Sequence, residues 1–133
     1  MKIEYRVPTV EEYSTLRGHT NWWEVDRKSV ETALNSSLFA VVAVENNHVI
    51  GFGRIVGDGL YFYIHDLIVH KEYRNRGIGK SLMVALMDYL KNNVRPGSFI
   101  GLMAAKGLTK YYESFGFKVR DEESPGMFQL VSQ

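Results

Sequence analysis

The sequence has 133 residues, of which 45% are hydrophobic and 23% charged, the balance of a soluble globular chain rather than a disordered one. With 16 Lys and Arg against 15 Asp and Glu the net charge is +1, so no global field points to nucleic acid or a membrane surface. Cysteine is absent, which excludes disulfides, thiolate metal sites, iron–sulfur clusters and a cysteine nucleophile, and accords with the cytoplasm.

The length predicts a single domain over residues 1–133, large enough to bury roughly two-thirds of its unfolded surface without staples. The first residues, Met1-Lys2-Ile3-Glu4-Tyr5-Arg6, alternate apolar with charged side chains and lack the apolar run of a signal peptide. The longest strongly apolar run, Leu38 to Val44, is far short of the roughly 20 residues a membrane span needs. The histidines are scattered, so no metal constellation is expected.

In chain order, Ile3 to Val7 reads as a strand by its alternation. Thr9 with Glu12 forms a capping box that opens a helix, with Val10, Tyr13 and Leu16 as its buried face and Gly18 as its stop. The pattern around Trp22-Trp23 is irregular, and a short helix follows from Ser29 to Ser36. Leu38 to Val44 and Val49 to Val56 read as strands joined at Asn46-Asn47, residues tolerant of positive φ. After the Gly57-Asp58-Gly59 turn, Leu60 to Val69 forms a long strand, and the three are expected to be antiparallel. Ile78, Leu82, Leu86 and Leu90, widened by Met83, Ala85 and Tyr89, mark the stripe of an amphipathic helix that ends before Arg95-Pro96-Gly97. Ser98 to Ala104 is a strand reached through that helix and so expected to be parallel to the long one. A helix from Thr109 to Phe115, closed by Gly116, and two final strands, Phe117 to Val119 and Met127 to Val131, complete a mixed α/β sheet.

The most informative segment is the strand–turn–helix from Leu67 to Leu90. Gly77 and Gly79 open a helix whose first N–H groups have no partner inside it, an arrangement that favours anions and above all phosphate. Lys71, Arg74, Arg76 and Lys80 surround it with positive charge. A P-loop is excluded because Arg74 occupies the position of its first glycine, and a dinucleotide fingerprint because Leu82 occupies that of its third. The turn taken alone also fits a basic, solvated loop capping a helix.

Arg74-Asn75-Arg76-Gly77-Ile78-Gly79, following the strand Asp66-Leu67-Ile68-Val69, resembles the cofactor signature of the GNAT superfamily of N-acetyltransferases. The segment from Lys110 to Phe117 resembles its Tyr-Glu-(two residues)-Gly-Phe element, and the layout is similar over nearly the whole chain. The resemblance implies an α+β mixed sheet, antiparallel at first, with a splayed parallel pair that receives acetyl-CoA. On that reading the backbone of Leu67, Ile68 and Val69 would bind the acetyl carbonyl and pantetheine arm. The turn Arg74, Asn75, Arg76, Gly77, Ile78 and Gly79, with Lys80 assisting, would hold the pyrophosphate. Tyr112 sits where similar enzymes place a general acid for the departing thiolate. The glutamate many relatives carry on the long strand is replaced by Tyr63, while His65 falls where arylalkylamine N-acetyltransferases carry a histidine. Ala105 stands where many members have a cofactor-contacting asparagine.

An ammonium group with a pKa near 10.4 leaves roughly one molecule in 10³ neutral at pH 7, which costs about 4–5 kcal/mol before any bond forms, so a base is useful. His65 suits that task by its ordinary pKa near 6.5, with Asp66, expected on the opposite face, ranked second. His19, His48 and His70 receive no role. The acceptor region contains Trp22, Trp23, Tyr61, Phe62 and Tyr63, which suggests a small aryl- or alkyl-amine held against aromatic surface, with Glu24, Asp26 and Asp58 able to approach. A protein amine is the alternative acceptor. The competing functions are a non-catalytic acyl-CoA-binding regulatory module and, more weakly, a nucleic-acid contact through Lys71, Arg74, Arg76 and Lys80. Relatives are commonly monomers or homodimers, and nothing in the sequence selects between them.

Overall fold

In a computed structural model that describes residues 1–131, the N-terminal alternation forms β1 (Lys2–Glu4). This strand ends before the expected Val7 because Arg6 is drawn to Glu4 and to Glu12, turning the chain into α1 (Val10–Arg17). The capping box is present: the Glu12 N–H donates to the Thr9 hydroxyl at 3.1 Å, and the Thr9 N–H to the Glu12 carboxylate at 2.8 Å. Helix α2 (Arg27–Asn35) starts two residues earlier than expected, because the Asp26 carboxylate caps its first turn.

Strands β2 (Phe39–Glu45) and β3 (His48–Gly57) meet at Asn46 and Asn47, both in the left-handed region at φ 51° and 65°. Strand β4 (Tyr61–Val69) follows a turn in which Asp58 accepts from the N–H groups of Leu60 and Tyr61. Helix α3 (Ile78–Asn93) then crosses to β5 (Phe99–Leu102). The sheet order is β1-β2-β3-β4-β5, with every pairing antiparallel except β4 with β5.

Each face of the sheet buries its own core. On one side Tyr13 and Leu16 of α1 and Val30 and Leu34 of α2 pack on Ala40, Val42, Phe52 and Ile68. On the other, the predicted α3 stripe is buried except for half-buried Tyr89, and Cβ atoms added at Gly51 and Gly53 would lie 3.0 Å from a Leu82 methyl and 2.9 Å from a Leu86 methyl. The glycines thus let α3 approach the sheet closely. Phe62, grouped with the acceptor aromatics by sequence, is a core residue with 3% exposure.

The chain divides into two compact units, Met1–Met103 and Ala104–Gln133. The second contains α4 (Thr109–Glu113), followed by Gly116 in the left-handed region at φ 93°. The two strands expected at Phe117 to Val119 and Met127 to Val131 do not form. Apart from half-buried Phe117, their apolar side chains are exposed, Met127 at 89% and Val131 at 96%. Alternation creates a strand only where a ladder partner accepts it, and no described residue pairs with these segments. No described helix is long and apolar enough to cross a membrane.

Candidate active site

Strand β4 is longer than its parallel partner, and this difference makes the site. Tyr61 to Ile64 pair with Phe99 to Leu102, after which β5 ends while β4 continues to Val69. On its other side β4 remains paired with β3, through Ile68 with Phe52 and Val69 with Gly51. The stretch from His65 to Val69 therefore has no β5 partner. Of the three residues expected to offer their backbone here, Ile68 buries its side chain in the core, and the Val69 carbonyl accepts from the Arg74 guanidinium at 3.0 Å.

A short 3-10 turn (Lys71–Tyr73) leads from β4 into the glycine turn. Asn75 and Gly77 both adopt left-handed conformations, at φ 65° and 81°. Gly77 caps α3 without any side-chain hydrogen bond. The first intrahelical donor is the Ser81 N–H, to the Gly77 carbonyl at 3.1 Å, so the N–H groups of Ile78, Gly79 and Lys80 are left for a ligand. A Cβ at Gly77 would meet nothing within 4 Å, and one at Gly79 only a Val69 methyl at 3.7 Å. The two glycines thus leave the start of α3 uncrowded by side chains, which suits a phosphate or pyrophosphate.

The basic residues of the turn are not equivalent. The Arg74 guanidinium reaches back to the carbonyls of Val69 and His19, at 3.0 and 3.1 Å, and Arg76 lies over the Tyr73 ring at 5.0 Å. His19 and His70, given no role by sequence, lie ring to ring at 3.9 Å, so the residues after α1 rest directly on the glycine turn. Burial, the neighbouring His70 and then Lys71 and Arg74 hold the His19 pKa below its ordinary value.

His65 stands on the same face of the sheet as Tyr63, their rings 6.0 Å apart and nearly parallel. Its cross-strand partner is Arg54. Burial first, then the Arg54 charge, lowers the His65 pKa, against an opposing effect of Asp66. The imidazole is therefore neutral at physiological pH and able to accept a proton. Asp66 is not on the opposite face as expected. The β3–β4 register shifts at this point, Asp66 takes φ 57°, and its carboxylate turns to Arg54 beside His65. Such a bulge places two consecutive side chains on one side of a strand.

Asp66 accepts from Arg54 Nε at 2.8 Å and lies 3.8 Å from Arg17 Nη1, so it is engaged as a structural anion. Sequence reasoning missed both arginines. The signal for Arg54 was a lone charge inside the apolar segment Phe52 to Val56. Arg17 also donates twice to the Trp23 carbonyl, at 3.1 and 2.8 Å, and lies 5.3 and 4.9 Å from the Trp22 and Trp23 rings. The cation over these aromatic faces is therefore the chain's own guanidinium. Asp26 and Asp58 are likewise used locally, as a helix cap and a turn acceptor. On the same face, Arg54 and Val56 floor an open depression of about 590 Å³ walled by α2.

Tyr112 lies on α4 in the second unit, edge-on to Tyr111 and Phe117 at 5.2 and 6.4 Å. Burial, then the neighbouring Tyr111, pushes its phenol pKa up, so the group stays protonated at neutral pH. Among the described residues no three His, Asp or Glu side chains gather as a metal site.

A mixed sheet opened beside an uncapped glycine-led helix offers a cradle for a phosphate-bearing ligand, and comparison with known proteins gives the family. A model described as an acetyltransferase (GNAT) domain matches residues 11–126. A crystal structure from meticillin-resistant Staphylococcus aureus, of a protein of unknown function described as "Probable Acetyltransferase", superposes with a TM-score of 0.91 at 33% identity over 98% of both chains. A GNAT family acetyltransferase from Streptococcus pneumoniae gives 0.78 at 27% identity, covering 99% of this chain and 98% of that one. An uncharacterized N-acetyltransferase, ycf52, of Pyropia yezoensis is 26% identical over 88% of this chain and 69% of its own length. The chain belongs to the GNAT acetyltransferase family and is an acetyl-transferring enzyme.

Proposed function

We propose that the protein transfers an acetyl group from acetyl-CoA directly to a primary amine, with a small aryl- or alkyl-amine as acceptor. The observation that carries this reading is the uncapped N-terminus of α3 beside the unpaired half of β4. The N–H groups of Ile78, Gly79 and Lys80 would take the pyrophosphate, with Asn75, Arg76 and Gly77 shaping the turn and Arg74 bracing it from behind. The β4 backbone from Leu67 to Val69, which has no β5 partner, would align the pantetheine arm and acetyl carbonyl. Acetyl-CoA supplies the activated thioester.

His65 accepts the proton that the acceptor ammonium must lose, directly or through water, and its lowered pKa keeps it neutral for that purpose. Tyr112 donates its phenolic proton to the departing sulfur; burial keeps that phenol protonated beforehand and also makes it a weaker acid, so its position rather than its pKa recommends it. Exposed Tyr61 and Tyr63, and the depression floored by Val56, supply the apolar surface for the amine. A thermal melt with acetyl-CoA, coenzyme A and ATP tests the cradle. A ligand at 100 times its Kd should add about 2.7 kcal/mol, several degrees for a domain of this size. A shift with both coenzyme A species and none with ATP supports the reading and justifies screening amines by thiol release. No shift at millimolar acetyl-CoA overturns it.

A further inference from the structure

The least expected feature of the site is a charged chain in its wall. Arg54, Asp66 and Arg17 keep only 13%, 11% and 11% of their side-chain surface exposed. Burying such charges is costly unless geometry compensates, and replacing them with apolar side chains is often neutral or stabilising. Stability alone is therefore a weak reason for them. Their placement is specific: Asp66 occupies a left-handed conformation, uncommon for any residue but glycine, at the register shift beside His65. Arg54 holds the carboxylate from β3 and is itself fixed to α2 through the Ala33 carbonyl at 3.3 Å. Arg17 reaches it from α1, donates to the Tyr13 hydroxyl at 2.8 Å, and anchors the Trp22-Trp23 segment.

We propose that Asp66, gripped between Arg54 and Arg17, is a positioning residue of acetyl transfer: it fixes the β4 bulge that presents His65 and ties the Trp22-Trp23 segment to the same strand. His65 thereby works beside a fixed charge pattern. Arg54 faces it from β3, and Asp66 and Tyr63 flank it on β4. From α1, Arg17 and Tyr13 act through Asp66, and from α2, Asp26 and Lys28 rim the depression above Arg54. Arg54 opposes a positive charge on His65 and Asp66 favours one, so the two partners set the imidazole's proton affinity in opposite directions.

The inference rests on reading His65 as the base, and the test separates the two. NMR titration of the four histidine Cε1–H signals, assigned with His65→Gln, reads the wall with no acceptor present. Arg54→Gln should move the His65 midpoint to higher pH and Asp66→Asn to lower pH, while Arg54→Lys, which restores the charge, returns it towards the wild-type position. His48 serves as the internal reference for an intact fold. Midpoints that stay put, or that move in one direction for both variants, overturn the proposal. Asparagine tolerates the left-handed conformation, so Asp66→Asn remains informative should Arg54→Gln fail to fold. With an acceptor found by thiol release, Asp66→Asn should lower kcat about tenfold or more and leave the KM for acetyl-CoA unchanged. An acidic limb of the pH–rate profile that survives His65→Ala would remove the base assignment while leaving the titration result standing.

Discussion

Gly77 and Gly79 are both part of the glycine turn, but different constraints act on them. Gly77 sits at φ 81°, where any Cβ is strained although the surrounding space is open. Gly77→Ala should therefore cost about 1–2 kcal/mol in a urea melt. Gly79 has an ordinary helical backbone, and an added Cβ would touch Val69 at a normal 3.7 Å. Gly79→Ala should leave stability within about 0.5 kcal/mol of wild type, which the same melts decide. His65 makes a second prediction at this scale. Its folded pKa lies below the unfolded value near 6.5, chiefly through burial. The unfolded chain then binds the proton more readily, so stability is full above about pH 6.5 and falls as pH drops below it. His65→Gln should flatten the loss of stability between pH 7.5 and 5, measured by urea unfolding at both.

At the scale of elements, what formed is what had both a local signal and a partner. The capping box at Thr9 and Glu12 is such a signal, and it closes on tertiary contacts through Tyr13 and Leu16. Thr9→Ala should destabilise the protein by about 1 kcal/mol, visible as a lower melting temperature with unchanged acetyl-CoA binding. The α3 stripe was legible because a period of 3.6 residues and the close approach allowed by Gly51 and Gly53 agree. The two C-terminal strands carried equal local promise, yet neither forms. Alternation specifies which face a strand would bury, but the backbone hydrogen bonds that make it a strand belong to a neighbour. The bulge at Asp66 was invisible for a related reason. It arises from the register between β3 and β4 and from two arginines that lie 12 and 49 positions away in sequence.

For the whole molecule, the open strand edge, the uncapped helix and His65 belong to the first unit and Tyr112 to the second. If Tyr112 is the general acid of the proposed transfer, Tyr112→Phe should lower kcat about ten- to a hundredfold without changing the affinity for acetyl-CoA. Steady-state thiol release, compared with a binding titration of the same variant, checks this, and an unaltered kcat would remove the general-acid role. The sequence by itself determined the class of sheet, the parallel crossover, the left-handed Asn46-Asn47 and Gly116 positions and the glycine-led start of α3. These depend on residue type, short spacings and hydrophobic period, all of which act locally. Only the tertiary structure decided that β4 outruns β5, that Asp66 shares a face with His65, that Arg17 fills the tryptophan faces and that Arg74 braces the turn. Each of those depends on strand register or on pairing between residues remote in the chain, where the energy lies in a contact that neither partner's sequence neighbourhood encodes.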